Sequence, residues 1–190
     1  MMITVNDVTL SGGAHAVMTG GFSISDAEKA ASRLNDFPFG AVEIMCPADF
    51  DTCFRFRNEN PWTRLKSIRS ALKGSHAFIT ISALTLLGDE PVSDEGIEMF
   101  VAHAVTLGVE RFRVFDPLND LANLATCLKA VNKAGKHAEA VMMVSKTTTS
   151  FVDMARQLKA LGADSLCVMD TVGTLTPERV TSLLDELKPV

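Results

Sequence analysis

Short apolar runs alternate along this chain with longer segments in which apolar residues recur every three or four positions. The runs read as strands: Met2–Leu10, Phe39–Met45, Ala77–Ala83, Phe112–Phe115 within RFRVFDPLND, His137–Ser145 and Ser165–Asp170. The longer segments read as helices, with recognisable start and stop residues. Ser25-Asp26 offers an N-cap before AEKAASRL. Asn60 caps a helix with Pro61 in its first turn and a stripe of Trp62, Leu65, Ile68 and Leu72. Asp94 precedes EGIEMFVAHAVTLG, which Gly108 stops, and Gly135 ends a helix running from Leu121 to Ala134. Ser150 caps FVDMARQLKALG, closed by Gly162, and Thr176-Pro177-Glu178 opens a last helix.

Six β-α units spaced by roughly thirty residues imply an α/β protein with parallel strands wrapped by helices, in one domain over residues 1–190. Loops leaving the carboxyl ends of such strands build the site. Asp116 and Asn119 stand at one such tip, after RFRVF, and Asp170 at another. The first loop, SGGAHAVMTGG, lacks the GxGxxG order of a dinucleotide site.

Composition narrows the function classes. With 47% hydrophobic and 22% charged residues the chain is expected to be globular, and a net charge of -5 supplies no basic footprint for nucleic acid. No apolar run reaches the roughly 20 residues of a membrane span, and the N-terminus has no signal-peptide pattern, so no membrane insertion and a cytoplasmic location are expected. Cys46, Cys53, Cys127 and Cys167 share no close spacing and are expected as reduced thiols. Cys127 and Cys167 read as small core residues, whereas Cys46 falls at a strand tip. His76, His103 and His137 have no companion at ligand spacing, and Met142, Met143 and Met169 read as barrel-interior packing.

At FRVFDPLNDLANLATCLKAVNKAGKHAEAVMMVS the chain resembles the pyruvate carboxyltransferase family. That family includes the carboxyltransferase domain of pyruvate carboxylase, the alpha subunit of oxaloacetate decarboxylase and the transcarboxylase large subunit, within the aldolase-like barrels that also hold HMG-CoA lyase. FDTCFRFRNENPWTRL, residues 50–65, resembles the segment after the family's second strand, and GADSLCVMDTVGTLTP, residues 162–177, its sixth strand and loop. The resemblance implies an incomplete (β/α) TIM-type barrel. It also implies carboxyl transfer between carrier-bound biotin and pyruvate, or decarboxylation of oxaloacetate, on a divalent metal that polarises the keto acid.

The family's chemistry-bearing residues do not carry over. Its Arg-Asp pair after the first strand aligns with Ser11 and Gly12, and its carboxylated lysine with Met169. A substrate-binding arginine aligns near Ser82, and the His-x-His pair would lie beyond Val190. No metal ligand set, and no cofactor bound by this chain alone, is therefore expected. Asp116, Asn119 and Asp120 match the family's FDALND-like tip, and Asp170 matches the acid after the missing lysine. DVTLSGGAHAV resembles DVTLRDGMHAV of the 4-hydroxy-2-oxovalerate aldolases, which aligns His15 with their catalytic base.

His15, Asp116 and Asp170 are thus the catalytic candidates, and Asn119 and Ser82 the substrate-binding ones. The alternative for both acids is a strand-end carboxylate that accepts backbone N–H bonds. Three functions stay open: a non-catalytic binding or structural homologue, which is preferred; an active component whose site another chain completes; and metal-independent keto-acid chemistry around His15 and Asp116. Open strand edges point to a homo-oligomer or a paralogous carboxyltransferase subunit, with a biotin carrier protein as a further candidate partner.

Overall fold

The computed structural model describes residues 3–17, 22–86, 88, 90–144 and 150–190, with only the backbone described at residues 16 and 17. A π-helical turn (Thr9–Gly13) leads into α1 (Ala14–Val17) and α2 (Ile24–Leu34). β1 (Ala41–Met45), α3 (Pro47–Thr52), a second π-helical turn (Cys53–Arg57), α4 (Pro61–Ala71) and β2 (His76–Ser82) follow. The rest alternates as α5 (Asp94–Thr106), β3 (Arg111–Phe115), α6 (Leu121–Lys133), β4 (His137–Met143), α7 (Phe151–Ala160), β5 (Ser165–Met169) and α8 (Pro177–Leu187). The strands form one parallel sheet in the order β1-β2-β3-β4-β5, the sequential order of a barrel arc.

The first expected strand is the exception. Its described residues run parallel to β1 through a single bridge, Asp7 to Val42. Asp7 N–H bonds Ala41 O at 2.9 Å, Glu43 N–H bonds Asp7 O at 2.8 Å and Gly40 N–H bonds Val5 O at 2.9 Å. It occupies the sixth position of the arc without becoming a full strand. The reason is local: the Asp7 carboxylate accepts from Thr9 N–H at 2.9 Å and from the Thr9 hydroxyl at 2.8 Å, which turns the backbone out of the ladder. Ile3 and Val5 remain exposed, so no burial holds the segment extended. Met2 and Ser145, the outer ends of two expected strands, lie outside the described residues.

Helix boundaries follow their caps. Asn60 Oδ1 accepts from the N–H groups of Trp62 and Thr63, and Ser150 Oγ from that of Asp153. Two caps fall earlier than the sequence suggests: Ser23 caps α2 and Ser93 caps α5, so Asp94 is the first residue of its helix. Gly108, Gly135 and Gly162 close α5, α6 and α7 with positive φ. At Gly108 a side chain is also sterically unwelcome, since a Cβ would lie 3.0 Å from Arg69 Cγ while Arg69 Nε donates to Gly108 O.

Each strand has two unlike faces. Val42, Ile44, Ile79, Ile81, Phe112, Val114, Ala138, Ala140 and Met142 pack on the helices, against Leu65, Ile68, Val101, Leu124, Leu128 and Leu158. The alternate residues point to the other, concave side and include Glu43, Phe78, Thr80, Arg113, Glu139 and Cys167. Met142 therefore belongs to the helix-side core rather than to the barrel interior, whereas Met143 and Met169 alternate to the concave face. The concave face also holds an ion pair between Arg113 Nε and Glu139 Oε2, with Arg113 stacked 4.6 Å from the centre of the Phe78 ring. Every residue of β5 is half-buried, and β4 is its one strand neighbour among the described residues.

Candidate functional site

The carboxyl ends of β1 to β5 and the loop after the N-terminal segment share one rim. At β1 the key group is Glu43, only 5% exposed although it sits inside the apolar run AVEIM. The Ser11 hydroxyl donates to Glu43 Oε2 and the Thr80 hydroxyl to Glu43 Oε1, with Gly12 N–H 3.4 Å from Oε2. This carboxylate is satisfied by hydroxyls and an amide, and no lysine or arginine pairs with it directly among the described residues. Sequence reasoning passed over Glu43; the signal was an acid in mid-strand, which a parallel sheet covered on both faces would exclude.

Beside it, His15 in α1 places Nε2 2.9 Å from Asp49 Oδ1. Asp49 is buried, and its other oxygen accepts from Cys46 N–H at 2.9 Å, which caps α3. Cys46 is half-buried, and burial followed by the nearby Asp49 charge pushes its thiol well above the ordinary range. His15 Nε2 or Nδ1, Cys46 Sγ and a carboxylate oxygen of Asp49 lie within 4.8 Å of one another. His15, expected to work with Asp116, instead has two companions more than thirty residues further along the chain.

The β3 tip is held by its own loop. Asp116, 3% exposed, accepts from Leu118 N–H at 2.8 Å, Asp120 N–H at 3.0 Å and Asn123 Nδ2 at 3.0 Å. Asn119 adopts φ +57°, donates from Nδ2 to Met143 O at 2.9 Å and accepts from Met143 N–H at 2.8 Å, which ties this loop to the end of β4. Asp170 accepts from the N–H groups of Leu175, Gly173 and Val172; these bonds, that of Leu175 foremost, hold its carboxyl below the usual range. Ser82 begins a tight turn, with Ser82 N–H on Leu86 O at 2.8 Å and Leu86 N–H returning to Ser82 O at 2.9 Å.

The candidates therefore share the rim but not their partners: His15 pairs with Asp49, whereas Asp116, Asn119 and Asp170 are engaged within or between their own loops. The cysteines form no disulfide. Cys127 donates from Sγ to Ala83 O at 3.2 Å and is pushed up to about 12 by burial, which fits a core thiol. Cys167 is half-buried on the concave face rather than packed in the core. Among the described residues no helix is long and apolar enough to cross a membrane.

No family model matches the chain. Individual proteins do. A pyruvate carboxylase subunit of Methanocaldococcus jannaschii is 28% identical over 191 residues, covering 98% of this chain and 34% of that protein. The methylmalonyl-CoA carboxyltransferase 5S subunit of Propionibacterium freudenreichii subsp. shermanii is 30% identical, covering 98% of this chain and 38% of that protein. The carboxyl transferase domain of Rhizobium etli pyruvate carboxylase with pyruvate superposes with a TM-score of 0.93 at 24% identity, over 98% of this chain and 33% of that one. That superposition bears on the fold, and the chain spans about a third of the length of these relatives. An identity of 30% to the methylmalonyl-CoA carboxyltransferase 5S subunit over 98% of the chain makes it a member of the pyruvate carboxyltransferase family.

Proposed function

We propose that this chain is a carboxyltransferase-family partial barrel that does not carry out carboxyl transfer by itself and serves as a binding or structural component of a larger carboxyltransferase-type assembly. The observation that carries the reading is the pairing of Ser11 and Gly12 with Glu43. At the positions where family members place an arginine and a metal-binding aspartate, this chain offers a hydroxyl and an amide, both turned to a buried carboxylate of its own. Met169 contributes a thioether where the family lysine would stand, a poor donor for a hard divalent cation. The residues present do not fit the family's metal at those positions. In this reading Asp116, Asn119 and Asp170 are loop-fastening groups, each already bonded to backbone, and Ser82 acts through its turn.

The reading calls for a partner at the open side of the sheet. β5 leaves a half-buried strand edge beside a concave face that carries Arg113, Glu139 and Cys167. A second copy of the chain is the preferred occupant, since symmetric self-association is the commonest way to cover such an edge. Light scattering is expected to give a mass at least twice the 20.5 kDa of the chain, and a monomer at micromolar concentration would contradict self-association. A different carboxyltransferase chain, with its biotin carrier, is the second reading, favoured by the polar concave face, which a partner could complete.

A further inference from the structure

We infer that His15, Cys46 and Asp49 form a zinc site, built from residues other than those aligned with the family's metal ligands and independent of the reading proposed above. Three donors of the types zinc accepts converge: an imidazole nitrogen, a thiol sulfur and a carboxylate oxygen, all within 4.8 Å of one another. Tetrahedral zinc with ordinary bond lengths needs its ligands about 3.3–3.7 Å apart. His15 Nε2 and Asp49 Oδ1, at 2.9 Å, need only open by a few tenths of an ångström, and since all three donors lie within 4.8 Å of one another, closure asks for a contraction of at most about 1.5 Å between any pair.

Asp49 is the anchor. One oxygen is fixed by Cys46 N–H, which orients the carboxylate and leaves Oδ1 aimed at His15. That bond also fixes Cys46 against α3, so two of the three donors are mutually positioned before any ion arrives. Two buried carboxylates lie at this end of the sheet, Asp49 and Glu43, 3% and 5% exposed; His15 pairs with Asp49, and the Arg113 charge acts on Glu43 rather than on Asp49. The His15 side chain, 19% exposed, gives the ion a route from solvent.

With three protein ligands the fourth position falls to water or to a small anionic ligand. Zinc would displace the Cys46 thiol proton into solvent, leaving a thiolate bound, and would fasten the first loop to α3. The mixed nitrogen, sulfur and oxygen set selects zinc or cobalt over magnesium or manganese, which favour oxygen ligands.

Cobalt reports directly on a thiolate ligand. Titrating the reduced, metal-free chain with Co2+ should produce a thiolate-to-cobalt charge-transfer band and tetrahedral visible bands that saturate at one equivalent and are bleached by Zn2+. Cys46→Ser should abolish the charge-transfer band, while Cys127→Ser and Cys167→Ser keep it. His15→Ala should weaken cobalt binding by more than about tenfold, as should Asp49→Asn. Zinc should also raise the melting temperature of the parent chain and of Cys167→Ser but not of Cys46→Ser. Far-UV circular dichroism verifies that each variant is folded, and should Asp49→Asn fail to fold, the Cys46 and His15 variants still decide. Absence of the band in the parent chain, or its survival in Cys46→Ser, would overturn the assignment.

Discussion

Replacing Asp116 with alanine is expected to destabilise the fold by about 3 kcal/mol, lowering the melting temperature by roughly 6–12 °C for a chain of this size. The side chain is nearly inaccessible and accepts three hydrogen bonds, two from backbone N–H groups of the loop and one from Asn123. Truncation strands those donors beneath the loop, and water can reach only part of them, so the loss exceeds that of an ordinary surface hydrogen bond. Asp116→Asn keeps one oxygen for Leu118 and Asp120, and Asn123 can flip its amide to meet the new NH2 group. That variant should cost about 1 kcal/mol or less. The contrast, read by urea or thermal unfolding, separates a fastening carboxylate from an acid whose charge matters for reaction. Equal damage by both substitutions would argue against the fastening role.

The Arg113–Glu139 pair should show the second large effect. The two side chains are 14% and 18% exposed, and burial opposes the Arg113 charge while the Glu139 hydrogen bond and charge restore it. Arg113→Met leaves the Glu139 side chain against β3 and β4 without its hydrogen-bonding counter-charge and removes the stacking on Phe78, a loss of about 3–5 kcal/mol. The double variant Arg113→Met/Glu139→Leu should recover most of that loss, since a buried pair replaced by apolar groups of similar volume is often neutral. A double-mutant cycle measures the coupling, and simple additivity of the two single losses would show that the pair does not act as a unit.

Much of the architecture was legible because β-α alternation leaves periodic marks. Gly108, Gly135 and Gly162 closed their helices, Asn60 and Ser150 capped theirs, and the apolar runs became parallel strands in sequential order. What the pattern could not reveal was competition from local hydrogen bonds. Asp7 and Thr9 lie in a segment of strand-like composition, yet their side-chain bonds bend it into a turn after a single bridge. Met142, expected with Met143 and Met169 in the barrel interior, instead alternates with Ala138 and Ala140 onto the helix-side core.

The site was less legible for a different reason. His15 read alone is a loop histidine, and nothing in the sequence singled out Asp49. Only the fold brings the α1 and α3 residues within hydrogen-bonding distance. Glu43 was hidden by the apolar residues around it, although it organises Ser11, Gly12 and Thr80 at once. Family resemblance pointed to where catalytic groups should stand, and the proposed change of chemistry at Ser11, Gly12 and Met169 rests on that resemblance, which periodicity alone could not supply.

Decarboxylation of oxaloacetate by the purified chain, with Mn2+ or Zn2+ supplied, tests the central claim most directly. The absence of an arginine and an aspartate at Ser11 and Gly12 predicts a rate equal to that of the metal ion alone. Metal-dependent turnover above that background, scaling with protein concentration and lost in Glu43→Gln, would show that this chain retains the family's chemistry and would contradict the account.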